Sequence, residues 1–260
     1  MFNQACVLKF TDSHCHFDFP EFDDNRETIA EALIVSGVHR LIVPGVSAEH
    51  WSRQLNTCSN LSSCYFAFGI HPWWIENAKE ADLDKLEQNL KNSEKVVALG
   101  EIGLDAKVAN FDKQQRFFEQ QLALAKQLQL PVLVHHRQTH SPISKALRHY
   151  QLSRGGIIHA FSGSYQQAKL YIDLGYRLGI GGVITYDRAK KTRETVSRVP
   201  LDALVLETDA PAMPLSGRQG EANSPLYLTE VFKTFCDLRN EKEQLIAEQL
   251  EKNNESLFSF

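Results

Sequence analysis

The sequence predicts a single (β/α)₈ barrel of the TIM type, and three observations lead to it. Short aliphatic runs alternate with helix-patterned segments throughout the 260 residues. One such unit recurs roughly every 30 residues, the repeat that eight units in a chain of this size require. Histidines or carboxylates close most of the runs, where a barrel of this class gathers its reactive groups.

The strands are expected at Val7–Phe10, Arg40–Val43, Tyr65–Gly69, Val96–Leu99, Val132–Val134, Gly156–Ile158, Arg177–Ile180 and Ala203–Leu206. Several are almost wholly apolar, as strands buried on both faces of a parallel sheet should be. Helical periodicity fills the gaps at Arg26–Ser36, Ala81–Asn92, Phe111–Gln129, His140–Tyr150, Tyr165–Leu174 and Ala189–Val199. It is clearest in the third, where Phe117, Phe118, Leu122, Ala125 and Leu128 fall at spacings of three and four. A doubly wound open sheet would give the same alternation. It leaves no reason for ligand-type residues at so many strand ends. No Gly/Ser-rich linker or low-complexity tract interrupts residues 1–260, so one domain is the economical reading.

Composition narrows the function classes. Hydrophobic residues make up 43% and charged residues 23%, which suits a globular chain able to bury a core. No apolar run approaches the length of a membrane span, and the start lacks the basic-then-apolar pattern of a secretory leader. Five scattered cysteines, Cys6, Cys15, Cys58, Cys64 and Cys236, form no C-x-x-C pair. Reduced thiols and a cytoplasmic location are the expectation. A net charge of −4 gives no overall basic signal for gripping long nucleic acid by its phosphates.

The strand ends carry the chemistry. In order they present His14 and His16, Gly45, His71, Glu101, His135, His159, Gly181 and Asp209. In T-D-S-H-C-H-F, alternation along an extended chain puts His14 and His16 on one face and Cys15 on the other. An isolated H-x-H reads equally as a polar strand end. His135 and His159 singly read as buried histidines bonded to backbone, and Asp209 as a cap before Ala210-Pro211. Glu101 follows an apolar strand, where an unpaired carboxylate is costly to bury and a cation satisfies it directly. Together, four imidazoles and two carboxylates exceed what one four-coordinate ion uses. Two divalent ions bridged by a carboxylate would use all six, activating a water and holding both oxygens of a phosphoryl displacement. Zn, Mn and Mg all remain open, and imidazole content favours the softer ions.

In chain order, T-D-S-H-C-H-F, F-G-I-H-P-W, A-L-G-E-I-G-L-D, L-P-V-L-V-H-H-R, H-A-F-S-G-S, I-G-G-V-I-T-Y and L-E-T-D-A-P-A-M-P resemble the TatD family of metal-dependent deoxyribonucleases. The likeness runs from the first strand to the last and is nearest to the family's YjjV-like branch. It implies an amidohydrolase-type barrel that hydrolyses phosphodiester bonds, with DNA as substrate at single-stranded or frayed ends. It also implies that His14, His16 and Asp209 hold one ion, that His135 and His159 hold a second, and that Glu101 bridges them. The pattern H-x-R assigns the ligand to His135 and makes Arg137 a candidate for the scissile phosphate.

Physical roles accompany that set. Asp209 can orient the attacking water and accept its proton, and Arg137 offers a planar fork suited to phosphate. His71 could donate to a phosphate or leaving oxygen while one tryptophan of the Trp73-Trp74 pair stacks on a base. Rim packing explains that pair equally well. Asn223 matches a family position that shapes the rim. His39, His50, His140 and His149 fall on or near expected helices and read as structural or surface groups, although His140 lies close enough to Arg137 to touch the site. The basic run from Asp187 to Arg193 could steer a nucleic-acid strand, but reads more readily as a solvated helix start. Two other activities keep the barrel and its ions: hydrolysis of a small ester, amide or lactone, and hydrolysis of the ester of a misacylated transfer RNA. A non-enzymatic adaptor would leave the six side chains without purpose.

Overall fold

The computed structural model of the chain describes residues 8–260. Eight parallel strands follow one another in sequence order around a nearly closed barrel. They are β1 (Phe10–Asp12), β2 (Val38–Pro44), β3 (Cys64–Phe68), β4 (Val96–Asp105), β5 (Val132–Arg137), β6 (Gly156–Ile158), β7 (Tyr176–Ile180) and β8 (Leu204–Leu206). The helices are α1 (Arg26–Ser36), α2 (Trp51–Cys58), α3 (Glu80–Asn92), α4 (Phe111–Leu128), α5 (His140–Tyr150), α6 (Tyr165–Asp173), α7 (Lys190–Arg198), α8 (Leu228–Asp237) and α9 (Glu243–Phe258). None is long and apolar enough to cross a membrane.

Local chemistry explains the helix ends. Ser164 accepts the amide of Gln167, and the Gln167 side chain accepts the amide of Ser164, a reciprocal cap that starts α6. Gly37, at φ 81°, closes α1 in the left-handed conformation that costs glycine little. Phe117, Phe118, Leu122 and Ala125 of α4 are buried, as their spacing predicts.

Two departures concern the first strands. The expected Val7–Phe10 strand runs instead over Phe10–Asp12, and Val7 lies outside the described residues. His14 and His16 therefore follow the strand instead of ending it. His39, expected on or near a helix, is part of β2.

Past the strands, β1 and β8 are joined by Ser13 N donating to Leu206 O (3.0 Å) and Asp209 N donating to His14 O (2.9 Å). Asp12 ties the same seam, accepting from Thr208 Oγ1 (2.6 Å) and from the Thr208 amide (3.0 Å). Burial raises the Asp12 carboxyl to about 7 despite these bonds.

Two cores result. The larger lies between the sheet and the helices. The smaller fills the barrel, where Ile42, Ala98, Leu133, Ile157 and Val205 meet Leu257 and Phe258 from the end of α9. The C-terminal helix thus plugs the bottom. Asn253 secures it by donating to the carbonyls of Leu201 (2.8 Å) and Leu204 (2.7 Å).

Candidate metal centre

At the opposite end, the segments that follow β1, β3, β6 and β8, together with β4 and β5, bring His14, His16, His71, Glu101, His135, His159 and Asp209 to one mouth. Glu101 sits at the middle. Its Oε2 lies 3.2 Å from His14 Nε2 and 3.5 Å from His16 Nε2. Its Oε1 lies 3.2 Å from His135 Nδ1 and 3.3 Å from His71 Nε2. Asp209 Oδ1 stands 3.8 Å from His14, 3.7 Å from His16 and 3.5 Å from His159. The side chains of His14 and His16 do share a side, although the backbone there is irregular. Cys15 points away, its Sγ 3.7 Å from the Ala210 carbonyl.

The backbone makes room for this crowding. Gly103, at φ 144°, lets β4 run against β5, because a Cβ there would overlap the carbonyl of His135. A Cβ at Gly179 would occupy the space of the Glu207 carboxylate.

Electrostatics follow from burial and neighbours. Burial opposes charge on Glu101, yet His71 and His14 hold its carboxyl well below the usual range. Burial likewise opposes charge on Asp209, but His159, His14 and His16 pull it down. His14 is lowered by burial and by His159, whose ring stacks on it with centroids 3.5 Å apart. Against their own burial, His16 is raised by Glu101 and Asp209, and His159 by Glu207 and Asp209. His71 is lowered to about 4, mainly by burial, so it is neutral at pH 7. Its Nδ1 accepts the Trp73 amide (3.1 Å), which places the ring proton on Nε2, facing Glu101.

Two carboxylates that the sequence reading passed over stand behind the histidines. Asp105 Oδ2 is 3.3 Å from His135 Nε2, and Glu207 Oε1 is 3.1 Å from His159 Nδ1. Carboxylates so placed fix the orientation of a metal-binding imidazole and raise its basicity. Both lay within quoted motifs: Glu207 is two residues before Asp209, the same spacing that drew attention to His14 and His16.

The expected second cluster differs in detail. His159 lies by His14 and Asp209, and it is His71 that joins Glu101 and His135 within ligand distance of one another. Arg137 ends β5 with its side chain 55% exposed, 4.0 Å from Asp105. Asn223 is buried, its amide donating to the carbonyls of Thr208 (2.8 Å) and Met213 (3.2 Å), so its donors serve the loop after β8. His140 packs on His136 and meets Tyr171 Oη at 3.0 Å, away from the cluster. In the basic run, Arg193 donates to the Ile184 carbonyl and Arg188 lies 4.7 Å from the Tyr186 ring.

The donor set fits divalent ions. A buried carboxylate (Glu101) and a partly buried one (Asp209) face a ring of imidazoles, and His14 Nδ1 and His16 Nδ1 are buried without a hydrogen-bond partner. Nitrogen and oxygen donors in this proportion suit Zn, Mn or related ions.

Residues 11–259 match the family model described as TatD related DNase. The chain belongs to the TatD family. It is 43% identical over 256 residues to the Escherichia coli protein described as an uncharacterized metal-dependent hydrolase, YjjV, covering 97% of this chain and 99% of that one. The crystal structure of E. coli YjjV superposes with a TM-score of 0.94 over 98% of this chain and 99% of that one. A more distant TatD relative, the 3'-5' ssDNA/RNA exonuclease TatD of Rahnella, is 31% identical over 92% of this chain and 94% of its own. As a TatD protein the chain is a metal-dependent hydrolase with the barrel its strands build.

Proposed function

We propose that this hydrolase cleaves phosphodiester bonds of DNA from single-stranded or frayed ends, using two divalent ions. The observation that carries the reading is the division of Glu101, one oxygen facing His14 and His16 and the other facing His135 and His71. His14, His16 and Asp209 would hold one ion and His135 and His159 the other, which requires His159 to turn from its place beside His14 and Asp209. Glu101 would serve both sets, one oxygen to each. Bound there, the ions supply Lewis acidity towards the phosphate and a water acidic enough to react at neutral pH.

The chain's own groups do the remainder. Asp209 orients the water and accepts its proton. His71, neutral with its proton on Nε2, would turn that donor from Glu101 to a phosphate or leaving oxygen once the carboxylate is engaged by the ions, a task that suits it better than ligation. Arg137 extends its exposed guanidinium from the rim to a phosphate oxygen. Asn223 keeps the loop after β8 in shape. The Rahnella relative, a 3'-5' ssDNA/RNA exonuclease 31% identical to this chain, supports the substrate class. Free thiols at Cys15, Cys58, Cys64 and Cys236 support action in the cytoplasm.

The test is degradation of end-labelled single-stranded DNA by purified protein with Mg, Mn or Zn. Asp209→Ala should lose about 10²- to 10⁴-fold, the usual contribution of a positioned acid–base group. Equal degradation by both proteins, or none by either, overturns the proposal. A panel of chromogenic esters, lactones and phosphodiesters then identifies the bond attacked.

A further inference from the structure

The rim of the mouth carries a large apolar side chain that packing does not explain. Trp73 is 56% exposed, whereas Trp74 is partly buried against His71 and His50. Despite its exposure, Trp73 is held firmly. Its Nε1 donates to Asp105 Oδ2 at 2.7 Å, and its amide donates to His71 Nδ1. Asp105 is itself fixed, since its Oδ1 accepts the Lys107 amide and its own amide donates to Gln114. The indole meets His71 and His135 edge to face, with centroids 5.5 and 6.4 Å away and interplanar angles of 82° and 73°.

A rigid aromatic ring with more than half its surface in solvent, beside the nitrogens that face Glu101, has lost side-chain freedom without gaining burial. Such a ring is preorganised for a planar partner. Every nucleobase offers a π face, but only an unpaired one is free to leave its own stack. We infer that Trp73 is the stacking platform for an unpaired nucleobase flanking the bond cleaved at this centre. The inference rests on the phosphodiesterase reading above and deepens it: the tryptophan would confer the preference for single-stranded or frayed ends without selecting a sequence.

The experiment compares the metal-loaded wild type with Trp73→Ala and Trp73→Phe on two oligodeoxynucleotides of equal length, one normal and one abasic. Far-UV circular dichroism checks that the variants fold. Trp73→Ala should raise KM for the normal strand about tenfold with little change in kcat, and leave KM for the abasic strand unaltered. Trp73→Phe keeps a stacking ring and should recover most of the loss. Stopped-flow mixing supplies a readout independent of cleavage. Before turnover, the normal strand should quench wild-type indole emission, the abasic strand should not, and Trp73→Phe should lose the quench. A KM that rises equally on both strands, or on neither, overturns the platform, as does a quench that persists in Trp73→Phe. Base-dependent quenching without cleavage would leave the platform standing and remove the nuclease reading. Cleavage without quenching would do the reverse.

Discussion

Glu101 at the mouth and Glu251 at the base are the same residue type in opposite circumstances. Glu101 is almost wholly buried, and its carboxyl is nonetheless held far below the usual range. Glu251, on α9, is less buried, and burial pushes it up to about 7. Burial alone would order them the other way. The partners decide. Glu101 has four imidazoles within 3.5 Å. Glu251 accepts one hydroxyl, from Thr11 (3.0 Å), with His39 at 3.5 Å and Arg40 at 3.6 Å. Arg40 is shared with Glu255, which adds a like charge. The base is a structural seam that tolerates a protonated acid. The mouth keeps its acid ionised, the state a cation needs.

The largest effect should come from removing that charge. Glu101→Gln is expected to lose bound metal and at least about a thousandfold in hydrolysis, because several kcal/mol of charge stabilisation leave with the ion. Metal analysis and thermal melting check this. At a hundredfold excess over Kd, metal should stabilise the wild type by about 2.7 kcal/mol and leave Glu101→Gln unmoved. A variant that retained full metal content would end the contrast between the two glutamates.

A middle-sized effect is expected from Glu207→Gln, which keeps the shape beside His159 and removes the charge. Metal affinity or activity should fall about 10- to 100-fold. Titration with a competing chelator measures it, and an unchanged affinity would reduce Glu207 to packing.

The smallest effect on hydrolysis concerns the base. A carboxyl raised from 4.5 to about 7 binds more protons folded than unfolded across that interval, so its contribution to stability falls as pH rises through it. Glu251→Gln cannot titrate. Between pH 5 and pH 8 the wild type should lose on the order of 2–3 kcal/mol relative to this variant in denaturant melts. Hydrolytic activity should not change. Parallel pH profiles of stability for the two proteins would contradict the reading of the seam.

The sequence revealed the barrel and the convergence of the six site residues because strand ends recur at a regular interval and carry unusual side chains. Other parts were hidden for physical reasons. Helix α2 buries Trp51, Gln54 and Cys58, and a glutamine at the central position erases the apolar stripe. Gln54 is there to donate to the carbonyls of Val43 and Ala67, a task visible only in three dimensions. Helix α8 completes the eighth strand–helix unit only after the long segment between Leu206 and Leu228, and α9 adds a helix that no strand precedes, so the spacing that located the others does not reach them. Asp105 and Glu207 stood in view inside their motifs. Their part emerges only when His135 is found 30 residues away across a strand pair, and His159, after β6, one strand removed from β8.

The plug formed by Leu257 and Phe258 has an effect on biosynthesis. Ribosomes deliver those two residues after every strand has emerged, so the nascent cylinder stays open at its floor until the last helix swings under it. Solvent can enter from below during that interval, and the interior dries only when the stopper seats.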